Sequence, residues 1–478
     1  MSDAPPDHDP RRLRGAIELI GAQLVFVLSA YAINVALGKY LGPELFGVYT
    51  VMITVIGVIN LAQLQGVPQT LSRGVASEPD REGAYWSTSV RVQLLVSIIG
   101  ILVSLALAPI LAGAVDDRRV LWAILAGTLG IPFYAGFATF NGLLNGRQAF
   151  RDQAMLLSFY SVVRVAFIVG GTVYLGFYWG IIGIAIAPLL SVLLFRTGRR
   201  RPARPTGEPI PRRALIAFSA ASLGLSLLMA GMTSIDVLIV KAALVDDAAA
   251  GFYGAAQNLA RVPYFLLLPA AQVLFPAMAE SVATGDRGRL QRTVAAGLEG
   301  SLAIVVPISA VLAAAPALAA EFVFGVEYVA AGPALRWLGP ALGVLALAST
   351  LATASAGMGH PRGPLAIAGV SMVLQIVLGF SLADRGIEGV AVATLTASSV
   401  CLVGQAVLIR RYSGTLGSPR RLGLIVGAGV VPFMIAQLAT SPAMLFAAAF
   451  VGLIAYVGVL WVLRVLPKPP RRPSAAVE

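Results

Sequence analysis

Charged side chains are scarce in this chain. They make up 12% of its 478 residues, where an average soluble domain carries about 25%, and that excludes an ordinary water-soluble fold. Cysteine is nearly absent: Cys401 is the only one, and it falls inside an apolar run, so no disulfide framework is expected. Two histidines among scattered residues make no metal site. A P-loop or glycine-rich nucleotide motif is missing, which argues against ATP-driven transport within this chain and leaves no cofactor to expect. Segments of alternating polarity about ten residues long, the mark of a membrane β-barrel, are missing too.

What is present is apolar sequence. The chain is 58% hydrophobic, with a mean hydropathy of +0.83. Apolar runs of about 20 residues recur from end to end, each long enough to cross a hydrocarbon core as a helix. The expected fold is therefore an all-α polytopic membrane protein with about fourteen transmembrane helices. Their approximate limits are 15–38, 47–70, 88–112, 120–144, 154–176, 178–195, 214–240, 251–279, 298–320, 333–357, 365–382, 388–409, 422–438 and 443–463. The first run is longer than the h-region of a cleaved signal peptide, about 7–15 residues, so the first helix is expected to stay.

Basic residues set the orientation. With the N-terminus inside, 26 of the 35 Lys and Arg residues fall in inner segments and five (Lys39, Arg118, Arg119, Lys241 and Arg385) in outer ones. This bias places both termini in the cytoplasm. The sequence pI of about 10.2 then reflects topology, and no nucleic-acid partner is expected. Seven of the inner arginines lie in RTGRRRPARPTGEPIPRR, Arg196 to Arg213. That stretch reads as an extended, proline-rich cytoplasmic spacer held near anionic headgroups of the membrane lipids.

The spacer separates two halves that repeat. Gly180-Ile-Ile-Gly-Ile-Ala-Ile-Ala187 aligns with Gly386-Ile-Glu-Gly-Val-Ala-Val-Ala393, 206 residues on, and Gly47-Val-Tyr49 with Gly251-Phe-Tyr253, 204 on. The expected organisation is an N-terminal tail (1–14), a first six-helix bundle (15–195), the basic linker (196–213), a second bundle (214–409), two further helices (410–464) and a cytoplasmic tail (465–478). Six helices is an even number, so the halves are parallel repeats of the kind that enclose a substrate site near the midplane.

Ionisable residues at depth are functional candidates. Glu18, Arg91, Asp236, Glu280, Glu299 and Arg336 fall near helix ends, where long side chains reach water. Arg164 and Arg261 instead fall about 15 Å into their helices at 1.5 Å per residue. Gln257 and Asn258 precede Arg261 by four and three positions and share its face. Asn60, Gln63 and Gln65 form a weaker polar patch, as well explained by interhelical hydrogen bonds as by substrate contact. Pro263, Pro269 and Pro276 could kink the eighth helix. With no carboxylate expected at depth, two arginines suit an anionic ligand, and guanidinium pairs well with phosphate oxygens.

Leu37 to Ser77, LGKYLGPELFGVYTVMITVIGVINLAQLQGVPQTLSRGVAS, resembles the first-repeat signature of polysaccharide biosynthesis proteins of the oligosaccharide flippase (Wzx-like) type. These belong to the multidrug/oligosaccharidyl-lipid/polysaccharide (MOP) exporter superfamily. Gly251 to Ser281, GFYGAAQNLARVPYFLLLPAAQVLFPAMAES, resembles the matching second-repeat segment, and GIEGVAVATLTAS also fits. The resemblance implies a V-shaped pair of six-helix bundles in a bacterial or archaeal cytoplasmic membrane. It implies a polyprenyl-pyrophosphate-linked oligosaccharide as substrate, moved between leaflets by alternating access, with polysaccharide polymerase or assembly proteins as possible partners. Arg261 and Arg164 would hold the pyrophosphate, with Asn258 and Gln257 beside them and Asn60 and Gln63 as further polar lining. Lipid II flippases of the superfamily also have fourteen helices, which suggests a tail-binding role for the last pair. The alternatives are another exporter of the superfamily, a lipid II flippase or multidrug antiporter among them, and a membrane-embedded polymerase or glycosyltransferase. An enzyme of that kind would need a sizeable outer loop. The outer acidic pairs Asp116-Asp117 and Asp246-Asp247 lie in short loops and read as solvated turns, so no catalytic residue is expected.

Overall fold

Backbone that crosses lipid has to satisfy its own hydrogen bonds, and helices do so within one segment. In the computed structural model, which describes residues 10–196, 202–203, 210, 223–244, 246–267, 278, 281–282 and 284–465, every regular element is helical. The chain is a multi-pass membrane protein. Its contacts cluster into two compact units, Met1–Leu227 and Leu228–Glu478.

The first unit contains α1 (Pro10–Gln65), α2 (Val67–Ser77), α3 (Glu82–Val115), α4 (Arg118–Thr128), α5 (Ile131–Gly146), α6 (Phe150–Leu175) and α7 (Phe177–Phe195). Helix α8 (Leu223–Met232) runs across the boundary. The second unit continues with α9 (Ile235–Ala243), α10 (Ala249–Ala260), α11 (Arg287–Ala314), α12 (Pro316–Phe324) and α13 (Gly332–Gly357). It ends with α14 (Arg362–Ser381), α15 (Gly386–Ser413), α16 (Pro419–Ala428), α17 (Val430–Gln437) and α18 (Pro442–Val462).

Ten helices among the described residues are long and apolar enough to cross a membrane, or up to 12 if the bent pairs α4–α5 and α8–α9 each count as one span. The sequence expectation is fourteen, and two local features account for the difference. The first two expected spans run together as α1, broken only at Gly42, whose φ of 71° and ψ of 173° lie where glycine alone is at ease. The eighth expected span, 251–279, extends past residue 267 into residues outside the described set. The N-terminal tail up to residue 9, most of the basic linker, Glu280, Pro269, Pro276 and the tail after residue 465 also fall outside it.

The helices pack where small residues let backbones approach. A Cβ on Gly183 of α7 would sit 2.7 Å from the main-chain carbon of Phe167 on α6, and one on Gly180 would collide with Thr172 Oγ1. A Cβ on Gly389 of α15 would collide with Leu382 O. The second glycine of each matched Gly-x-x-Gly stretch thus meets neighbouring main chain, whereas of the first pair Gly180 is packed and Gly386 takes a positive φ of 70° with open space around it. The core of the first unit is aromatic, with Tyr134, Phe137, Phe140 and Tyr160 all buried. Near the start of α3, Glu82 accepts from Arg147 Nε at 2.8 Å and from the linker amide of Ala203 at 2.9 Å.

Replacing Gly183 by Val is expected to destabilise the first unit by about 1–3 kcal/mol through overpacking. Gly136→Ala, where an added methyl meets nothing within 4 Å, is the control. Thermal unfolding in detergent measures both, and equal melting temperatures would contradict the packing account.

Candidate functional site

A helix that bends sharply turns main-chain carbonyls away from their usual donors. The pair α8–α9 bends by 41° at Thr233 and Ser234, and the polar residues of the second unit gather there. Gln375 Nε2 of α14 donates to Met232 O at 3.0 Å. Arg261 Nη2 donates to Thr233 O at 2.6 Å and to Ser234 Oγ at 3.1 Å. Arg261 can reach because α10 ends at Ala260, three residues before Pro263, which cannot donate to the preceding turn.

Asp236 lies in the first turn of α9, where the helix dipole favours a carboxylate. Its Oδ1 accepts from Val237 N at 3.0 Å and Gln257 Nε2 at 2.6 Å. Its Oδ2 accepts from Tyr253 Oη at 2.9 Å and Thr394 Oγ1 at 3.2 Å. Arg261 adds its positive charge to the surroundings of this carboxylate. Asp236 is completely buried. It does lie at a helix end, as expected, but the expectation that it reaches out to water from there is wrong. Four donors on three helices and one nearby guanidinium compensate the charge, which is what a buried carboxylate requires.

In the first unit, Arg164 is held without a carboxylate partner among the described residues. Arg164 of α6 donates from Nε to Ser29 Oγ at 3.1 Å and from Nη2 to Phe26 O. Its guanidinium lies 4.4 Å from the Phe26 ring centroid and 5.4 Å from that of Tyr160. Tyr160 stacks in turn on Phe137 at 4.4 Å. Cation–π contact of this kind contributes about 0.5–2 kcal/mol, and the stacked rings fix the direction in which the guanidinium points. Ser29 and Ser234, the hydroxyl partners of the two arginines, are 205 residues apart, in register with the repeat.

A family model described as "Polysaccharide biosynthesis protein" matches residues 12–282, more than half of the sequence. The chain belongs to that family. A stretch of 163 residues is 27% identical to stage V sporulation protein B of Bacillus subtilis (strain 168), covering 33% of this chain and 31% of that protein. The fold is shared with solved transporters of the MOP superfamily. Lipid II flippase MurJ in an inward closed conformation superposes with a TM-score of 0.77 at 14% identity, over 95% of this chain and 100% of that one. An inward-facing multidrug resistance MATE family transporter gives 0.69 at 16% identity, over 84% and 98%. A MOP superfamily transporter from Pyrococcus furiosus, described as having a binding pocket of reverse polarity, gives 0.61 at 16% identity, over 85% and 96%.

The other residues singled out from sequence fall in several places. Gln257 joins Arg261 around Asp236, while Asn258 is half-buried and makes no hydrogen bond among the described residues. Gln63 is buried and ties α1 to α3: it donates to Ser97 Oγ at 3.2 Å, and its carbonyl accepts from Gln93 Nε2 at 3.0 Å. Asn60 is half-buried on the same helix, and Gln65 accepts from Gln69 one turn on. Glu299, also expected at a helix end, is buried and paired with Arg421 Nη1 at 3.6 Å. The outer acidic pairs serve turns and caps, Asp117 accepting from Arg119 N at 2.8 Å and Asp246 from Ala248 N at 3.0 Å. Tyr253, Gln375 and Thr394 went unmarked in the sequence reading; the visible signal was the Thr233-Ser234 dipeptide interrupting an apolar span.

Asp236→Ala leaves Tyr253, Gln257 and Thr394 without their shared acceptor and is expected to destabilise the protein by roughly 1–3 kcal/mol, with Asp236→Asn milder. Adding Arg261→Ala to Asp236→Ala restores part of the loss, which a double-mutant cycle of thermal unfolding reads directly. Strict additivity would show that the two charges are not coupled.

Proposed function

We propose that this protein flips a polyprenyl-pyrophosphate-linked oligosaccharide repeat unit across the cytoplasmic membrane by alternating access, for surface polysaccharide synthesis. Family membership and the shared transporter fold support the class. The observation that carries the substrate is Arg164. Its guanidinium is half-buried, oriented by Phe26, Tyr160 and Ser29, and has no carboxylate partner among the described residues. Nη1 makes no hydrogen bond there, while Nε and Nη2 are used for anchoring. A preoriented cation of this kind suits a pyrophosphate, because guanidinium pairs with phosphate oxygens through charge-assisted bonds and little side-chain entropy remains to be lost.

Arg261 takes a different part. Its charge is shared with Asp236, so it offers less net positive potential to an anion, and with Gln257 it chiefly holds the bend of α8–α9. Asn258, Asn60 and Gln63 would contribute polar lining only. Polymerase or assembly proteins would receive the flipped unit on the outer side. The Lys and Arg bias puts both termini in the cytoplasm. In a Cys401→Ala background, Arg385→Cys is expected to react with an impermeant maleimide in intact cells, whereas Arg411→Cys reacts only after permeabilisation.

A second reading is favoured by the buried acid. An exporter of the same superfamily that moves a small molecule, or a flippase for lipid II, would also fit the fold. Mass spectrometry of lipid-linked glycans separates the three. Deletion of the gene is expected to accumulate repeat-unit lipids and abolish surface polysaccharide. Complementation with Arg164→Ala is expected to restore less than about a tenth of export, the loss that ~1.4 kcal/mol of lost phosphate binding gives, and Arg164→Lys an intermediate amount. Normal polysaccharide in the deletion strain would end the proposal, while accumulation of lipid II, or drug sensitivity dependent on Asp236, would move it to the alternative.

A further inference from the structure

The second unit carries a cavity of about 460 Å³ away from the Asp236 cluster. It is lined by Ala314 and Ala315 at the end of α11, Pro316 to Leu318 at the start of α12, Arg336 in α13, and Ala436, Gln437 and Ala439 at the end of α17. The end of the unit at which α11 and α17 finish and α13 begins is the end that the Lys and Arg bias assigns to the outer face. The walls are mostly short, uncharged residues, alanine and proline, and they expose nearly as much polar as apolar surface. One side chain breaks this pattern with a charge. Arg336 is exposed, and among the described residues it has no hydrogen-bond or ion-pair partner. The acid beside it is already engaged: Glu388 of α15 accepts from the indole of Trp337, the next residue, at 2.8 Å.

An arginine at the headgroup level of a membrane draws anionic lipid, each basic residue near the surface contributing to the attraction. Here it lines, together with the Gln437 amide, a recess that no side chain fills. We infer that the recess between α11, α12, α13 and α17 is a binding site for an anionic glycerophospholipid of the outer leaflet. Arg336 and Gln437 take the phosphate, and the glycerol and upper acyl carbons rest against the alanine methyls. A zwitterionic lipid would bring its own cation next to Arg336 and leave the arginine uncompensated, so the site discriminates by net headgroup charge. Because α17 belongs to the pair outside the six-helix repeat and α11–α13 lie within it, a lipid seated there would join the appended pair to the repeat on this face.

Native mass spectrometry of the full-length protein, delipidated in a neutral detergent and titrated with phosphatidylglycerol, phosphatidylcholine or inorganic phosphate, tests the inference. Phosphatidylglycerol is expected to give a discrete first adduct and a raised melting temperature, with phosphatidylcholine at least about fivefold weaker, a margin of ~1 kcal/mol. Arg336→Gln, and Ala439→Phe, which places a ring in the recess, are each expected to remove that adduct, while Arg385→Gln, another exposed outer arginine, keeps it. Equal binding of both lipids, or equal loss in Arg336→Gln and Arg385→Gln, would overturn the site in favour of diffuse surface attraction. Displacement by millimolar inorganic phosphate would overturn the lipid as occupant.

Discussion

A main-chain carbonyl turned away from its helix inside an apolar interior has to find another donor, and the second unit is arranged around that requirement. The bend at Thr233 and Ser234 exposes two such carbonyls. Met232 O takes Gln375 and Thr233 O takes Arg261. The guanidinium brought there faces the charge of Asp236, which the same bend places at the head of α9. The acid in turn needs hydrogen bonds, which Tyr253, Gln257 and Thr394 provide from α10 and α15. Each polar residue follows from the one before it, starting from a broken helix.

The first unit holds Arg164 by other means, against a helix with no bend at that point. Its arginine also bonds a serine and a carbonyl of an early helix, but aromatic faces take the place of the acid. Phe26 and Tyr160 offer a negative quadrupole that steadies the cation without neutralising it. The two units therefore differ in electrostatic character despite repeated sequence. One ends as a nearly compensated cluster and the other keeps a net positive charge on a rigid mount. This difference is why Arg164, rather than Arg261, is the better candidate for an anionic substrate.

Much of this was legible from residues alone. Apolar length and the Gly-x-x-Gly match at 180 and 386 suffice for helices and for a repeat, because both reflect lipid thickness and close packing, which act locally. The special weight of Arg164 and Arg261 was visible for the same reason, since charge within an apolar run is conspicuous. Asp236 was expected to reach water because its helix was taken as straight up to its end. A helix broken at Thr233-Ser234 points its next turn elsewhere, and three of the donors that then surround the carboxylate come from residues 17 to 158 positions away. Gln375 and Thr394 were single polar residues in apolar helices, with nothing in their neighbourhoods to connect them to Asp236.

The wiring of Asp236 bears on how this chain can change over time. Substitutions at 236 and 261 are not independent events, because losing the acid first removes a negative charge that faces the Arg261 guanidinium, and losing the arginine first leaves a carboxylate with hydrogen bonds alone. The accessible route between an ionic and a neutral version of the cluster passes through a weakened intermediate in either order. The two positions are therefore expected to be inherited as a pair, while Arg164, which leans on aromatic rings and not on a partner charge, is free to be exchanged singly when the cargo changes.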